Sequence, residues 1–261
     1  MADPMEQFRI HKVVELPAIH LPGGLLIDPS ITNSTVAMLI AAALVMIFFT
    51  LATAKAQVIP GRLQVVGEST FGFIDDLTTG IIGSEGAKYF PFVFTLFVFV
   101  LAMNLLGLFL GFTATSQLAV TGTLAAMTIA LVLIIGFAKN GLGFFKLFVP
   151  SGVPIYMLIL VTPIEIISFL LRPVTLALRL FGNMLGGHVA LKVFASFVVT
   201  LGALAAGGGF GLLGIPGAAL SLTGVVALTA LEFLVAFLQA FVFAVLTCVY
   251  LNDVVNLGHH H

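Results

Sequence analysis

Apolar residues fall in long blocks along this chain, and the blocks set the expected elements. Ile31–Ala54 is the first, with Asn33, Ser34 and Thr35 as a suitable helix start. Arg62–Gly83 differs: Glu68, Asp75 and Asp76 alternate with Val65, Val66, Phe71, Phe73, Ile74 and Leu77, the pattern of an amphipathic helix lying at a membrane surface. A soluble loop is the alternative. Tyr89–Phe112 and Gln117–Ala138 are two further blocks joined by a very short turn. The first of them holds Asn104, followed by Gly107 and Gly111 at small-xxx-small spacing. Lys139–Pro150, with Gly141 and Gly143, reads as a loop.

The last two blocks are overlong. From Pro154 to about Leu201 the chain stays apolar for roughly twice the length of an upright span. Two helices broken near Pro163, Pro173 or Gly186 would accommodate this, as would one long, steeply tilted helix. A Gly-rich turn, Ala203–Gly217, leads to Ser221–Leu257, and the two segments make a hairpin. Glu232 and Gln239 lie about 20° apart on one face of its second arm.

Composition fixes the class. Of 261 residues, 60% are hydrophobic and 8% charged, whereas soluble domains are nearer a quarter charged. Several blocks exceed the ~18 apolar residues that mark a spanning helix. The expected fold is an all-α polytopic membrane protein in one domain: an external segment 1–30, three upright spans and a surface helix within 31–138, and a tilted hairpin over 154–257. Met1–Ser30 lacks the apolar core of a signal peptide, and His11 and His20 within it read as solvated. The net charge of -1 gives no reason to expect a nucleic-acid partner. Cys248 stands alone and no Cys/His zinc pattern occurs, so neither a disulfide, a metal nor a cofactor is expected. The terminal His259–His261 carry no functional argument. With the N-terminus outside, the inner loops hold Lys55, Arg62, Lys88, Lys139 and Lys146 while the outer turns hold no Lys or Arg, so the positive-inside rule puts the C-terminus in the cytoplasm.

The candidate chemistry lies in Glu165–Lys192, where Glu165, Arg172, Arg179, His188 and Lys192 interrupt apolar sequence. A charge at bilayer depth costs about 3 kcal/mol on insertion scales, so five such groups point to an ion or proton path. Glu165, Ser168, Arg172, Arg179 and Asn183 fall within about 80° on a helix, while His188 lies on the opposite face, about 13 Å beyond Arg179. Gly182, Gly186 and Gly187 allow close helix approach. Snorkelling to the headgroups is the alternative for Arg172 or Lys192 and fits Arg179 poorly, since apolar residues extend about 20 positions either side.

LRLFGNMLGGH (Leu178–His188), FLQAFVFAVLTCVYL (Phe237–Leu251) and PIEIISFLLRPVTLALR resemble subunit a of the rotary F-type ATP synthase, the membrane stator beside the ring of c subunits. The resemblance covers nearly the whole chain. It implies that Arg179 is the essential stator arginine facing the c-ring carboxylate. Glu165, Ser168 and Thr175 fall on a cytoplasmic half-channel, and Asn183, His188, Glu232, Gln239 and Asn104 on an external one. An acid at position 188 and a histidine at 232 mark the enterobacterial pattern; the exchange seen in this chain is similar to mitochondrial-type sequences and implies a bacterial protein near that lineage. The implied partners are the c-ring, b-type peripheral-stalk subunits, the rest of the complex and the lipid bilayer. The implied location is the bacterial inner membrane, and no ATP hydrolysis is expected of the chain alone. A secondary transporter would also suit broken helices with mid-depth charges, but the Arg179 region has no repeat in the sequence. An intramembrane enzyme using Ser168 and His188 would need to bridge about 30 Å along one helix.

Overall fold

The computed structural model describes residues 12–15, 19–20, 26–27, 30–54, 57–110, 114–149, 155–206 and 214–257. The fold is an all-α polytopic membrane architecture. Among the described residues six α-helices follow one another: α1 (Asn33–Thr53), α2 (Arg62–Ile82), α3 (Gly86–Leu110), α4 (Leu118–Asn140), α5 (Ile155–Ala206) and α6 (Gly214–Val255). All except α2 are long and apolar enough to cross a membrane. Before α1, two short antiparallel pairings occur, β1 (Lys12–Val14) with β4 (Ile31–Thr32) and β2 (Ile19–His20) with β3 (Leu26–Ile27). The sequence pattern had not indicated these strands.

Local chemistry explains most boundaries. Thr32 is extended and its side chain accepts from Thr35 N–H, so α1 starts at Asn33, the first of the expected starting residues. Gly83 ends α2 at φ 84° and Gly141 ends α4 at φ 53°, values that L side chains adopt only with strain. The expected loop after α4 is instead a 3-10 segment, Gly141–Phe148. It winds because its aromatic residues have somewhere to go: Phe144 and Phe148 are buried, and their rings meet Phe137 and Phe169.

The two overlong blocks are continuous helices. α5 runs for 52 residues straight through Pro163, Pro173 and Gly186, which excludes two shorter helices there. At 1.5 Å per residue that is about 78 Å, far more than a bilayer core of about 30 Å. α6 begins at Gly214, earlier than the expected Ser221, with Pro216 in its first turn, where a missing N–H costs nothing. The connecting run 207–213 lies outside the described residues, as do Pro154, Gly111, His11 and His259–His261. Contacts along the hairpin run in opposite order on its two arms: Arg172 with Asp253, Asn183 with Gln239, Gly187 with Glu232, and Phe194 with Gly224. α5 and α6 are therefore antiparallel.

The core gathers around the second half of α6. Ala240, Phe243, Ala244, Cys248, Leu251 and Val254 are fully buried there, covered by α2, α3 and α4 as well as α5. α2 turns Gly67, Ile74, Thr78 and Ile82 inward and packs Phe73, with tilted rings, against Phe97, Phe237 and Phe241. Helix ends at one side of the bundle are tied by side chains. Asn256 Nδ2 donates to Ile82 O, and Asn140 Nδ2 donates to Val254 O, so each asparagine satisfies a carbonyl left over at another helix's end. Lys139 bonds Glu85 at 2.7 Å and holds its carboxyl below the ordinary carboxylate range. A depressed acid of this kind supports the fold above its unfolded-state value and loses that support only as pH falls through the lower, folded one.

Gly136 faces Phe144 and Val254 so closely that an added Cβ would lie 2.6 Å from the Phe144 ring. Gly136→Val is expected to destabilise the protein by about 1–3 kcal/mol through overpacking. Thermal unfolding of the detergent-purified protein measures this; a variant as stable as wild type would show that α4 and the 3-10 segment are not held by this contact.

Candidate functional site

The hairpin carries polar groups at two levels, with Arg179 between them. Beyond Arg179, α5 and α6 enclose a cavity of about 150 Å³ lined by Asn183, Met184, Gly187 and His188 of α5, Leu231, Glu232 and Val235 of α6, and Leu108 of α3. Glu232 is 4% exposed and His188 7%. Glu232 fits because residue 187 is glycine: a Cβ there would stand 2.7 Å from Glu232 Oε1. Of the three glycines in this stretch, Gly187 alone meets the partner helix; Gly182 and Gly186 have nothing within 4 Å.

Neither carboxylate oxygen of Glu232, nor Gln239 Nε2, has a hydrogen-bond partner among the described residues. Leaving such groups buried costs about 1–3 kcal/mol each, and more if charged. The space beside Glu232 is largely apolar-walled but also faces Asn183 and His188, and it is large enough for several waters, which can serve a buried polar group. Gln239 Oε1 accepts from Asn183 Nδ2 at 3.0 Å, which links the two arms one turn past Arg179.

Asn104 stands apart from its expected companions. It is fully buried, but the lining residue on α3 is Leu108, one turn further on. The Asn104 amide instead spans three elements: Nδ2 donates to Ala236 O of α6, and Oδ1 accepts from Thr115 Oγ1 in the 3-10 turn Ala114–Ser116. It sets the position of α6 one turn from Glu232. Thr115 carried no signal in the sequence, because its partner lies on another helix.

Arg179 itself is exposed on the open side of α5, and no described residue forms an ion pair with it. Gly182, Asn183 and Gly186, on the same face, are exposed as well. On the other side of Arg179, Glu165 is half-buried while Ser168 and Thr175 are exposed, Thr175 Oγ1 bonding only Arg172 O of its own helix. Arg172 does not snorkel. Its Nη1 lies 2.9 Å from Asp253 Oδ2 and its Nη2 lies 3.8 Å from Glu165 Oε1. Asp253 was not singled out in the sequence, since nothing on α6 alone marks it as the partner of an arginine 81 residues earlier.

Residues 35–252 match the family model described as ATP synthase A chain. The chain is 52% identical over 259 residues to ATP synthase subunit a of Hyphomonas neptunium, covering 99% of this chain and 98% of that one. It is 53% identical to ATP synthase subunit a of Allorhizobium ampelinum over 99% of both chains. The corresponding protein of Mesorhizobium japonicum is 50% identical over 98% of both.

If the cavity is wet, a cysteine on its wall will react from water. Val235→Cys in native membranes is expected to be modified by a small water-soluble methanethiosulfonate, while wild-type Cys248, which is 0% exposed, stays unmodified. Failure of Val235→Cys to react, with the reagent active on an exposed control, would mean that the cavity is closed to water.

Proposed function

The chain belongs to the ATP synthase A chain family, the proton-translocating membrane stator subunits of F-type ATP synthase, and on that premise we propose that Arg179 separates two offset half-channels. As a member it is a multi-pass membrane subunit of the synthase complex. The external half-channel runs through the cavity of Asn183, His188 and Glu232, with Gln239 bonded to Asn183 and Asn104 holding the wall. The cytoplasmic one runs past Glu165, Ser168 and Thr175. The exposed face of α5 meets the c-ring; b-type stalk subunits contact the peripheral helices. The N-terminus is outside and the C-terminus in the cytoplasm of a bacterial inner membrane, as the distribution of Lys and Arg indicates.

One observation carries this reading: a guanidinium exposed on a largely apolar helix, with no ion pair to any acid among the described residues. At membrane depth that arrangement is costly unless the partner comes from another subunit. A c-subunit carboxylate supplies one at each step. Gly182 and Gly186 on the same face leave room for the close approach of a second helix. Imidazole titrates near neutrality, so His188 beside Glu232 suits proton uptake from the external water. Arginine keeps its proton when buried, so a passing carboxylate is ionised before it leaves one half-channel for the other.

Arg179→Ala in the assembled complex is expected to cut proton-driven ATP synthesis by at least about tenfold, with the complex still formed. Arg179→Lys is expected to fail nearly as badly, because an ammonium is compact and loses its proton more readily when buried. ATP synthesis and proton flux in vesicles carrying each variant measure this. Near-normal coupled synthesis in Arg179→Ala would make the residue structural and the separation of half-channels wrong.

A further inference from the structure

Arg172 lies two helical turns from Arg179 and is shared by two carboxylates. The closer is Asp253 of α6, with Oδ2 at 2.9 Å from Nη1; the further is Glu165 of α5, with Oε1 at 3.8 Å from Nη2. The rings of Tyr250 and Phe169 also lie against it, their centroids 5.2 and 5.7 Å from Cζ. The guanidinium is thus held in place and its stronger contact goes to Asp253. Glu165 keeps a looser contact and a side chain 38% exposed. Among the described residues of elements packed on α5, α6 carries Tyr250 and Asp253 at this level and Glu232 at the level beyond Arg179, and α4 carries Lys139, which pairs with Glu85. The 3-10 segment contributes Lys146, which is exposed, and the 3-10 turn at Ala114–Ser116 contributes no charge.

We propose that Asp253 is a positioning residue for proton exchange at Glu165: by drawing Arg172 toward α6 it keeps the guanidinium from closing onto Glu165, which stays able to take and release a proton. This rests on the reading of Glu165 as part of the cytoplasmic path. Without the Asp253 charge, Arg172 turns its full attraction on Glu165 and fixes it as the carboxylate. Without Arg172, Glu165 faces Asp253 with no cation between them, and the protonated form is favoured. The two changes act with opposite sign, which a merely structural tie between α5 and α6 would not do.

The test uses inverted membrane vesicles carrying the whole complex, with ATP-driven acidification followed as the medium pH, here the cytoplasmic side, is varied. Each variant is scaled to its own maximum and to the amount of assembled complex. Asp253→Asn is expected to move the pumping profile to lower pH by about one unit and Arg172→Gln to move it to higher pH. Asp253→Glu and Arg172→Lys, which keep the charges, hold the profile near wild type; the Arg172 pair supplies the comparison alone if Asp253→Asn does not assemble. Profiles that stay in place, or that shift the same way in both charge-removing variants, overturn the proposal whatever their amplitude. Glu165→Gln separates the two levels of inference. Unaltered pumping in Glu165→Gln removes the cytoplasmic path through Glu165, whereas impaired pumping there with an unshifted Asp253→Asn profile removes only the role of Asp253.

Discussion

A carboxyl group pressed against bare helix backbone fixes the geometry of the hairpin. Glu232 reaches α5 only because residue 187 has no Cβ, and that contact sets how closely the two long helices approach. The same register seats Asn183 on Gln239 and Arg172 on Asp253. Sliding one arm by a single turn, about 5.4 Å, would break all three at once. Lipid offers helices no hydrophobic reason to prefer one register, so selection falls to close packing and polar pairing. Here the pairs that select the register are also the polar groups flanking Arg179, or bonded to those that do.

The peripheral helices complete this arrangement by covering α6 and leaving α5 open. α5 is the least buried of the five candidate spans, and α6 the most. Asn104, Asn140 and Asn256 each bond a backbone carbonyl on a different helix, and Phe73 and Phe144 fill the gaps between. Held this way on one side, α6 provides a fixed wall. In the proposed reading the partner surface is the outer face of α5, where Arg179 and two uncrowded glycines lie together.

Block length and apolarity made all five candidate spans and the amphipathic α2 legible in the sequence to within a few residues, apart from the start of α6 at Gly214 rather than Ser221. The route of α5 was not decided there, because Pro163, Pro173 and Gly186 break helices in water yet are tolerated where neighbouring helices satisfy the freed groups. Gly141 and Gly143 made the segment after α4 read as a loop, although Phe144 and Phe148 pull it into a turn of 3-10 helix. Helical periodicity placed Glu232 and Gln239 on one face, and both are buried. It could not say what that face meets. Pairing between helices depends on register, which is why the Asp253–Arg172 bond and the Thr115–Asn104 bond emerged only in three dimensions.

The position of Arg179 between two differently built polar levels bears on how a stator of this family can avoid short-circuiting the membrane. On one side Glu232 is buried beside a cavity and has no cation paired to it among the described residues. On the other Glu165 is half exposed and already has a share of Arg172. A carboxylate that must pick up a proton is helped by apolar surroundings without a cation; one that must let a proton go is helped by a cation and by water. In the proposed reading the two levels, one buried without a paired cation and one half exposed beside Arg172, serve opposite sides of the path. A potential of 100 mV adds about 2.3 kcal/mol per charge crossing the whole membrane. A single continuous channel would dissipate that energy along its length. In the proposed arrangement the proton has to leave the chain at Arg179 and return to it elsewhere, so the energy is delivered to the subunit that carries it between the two.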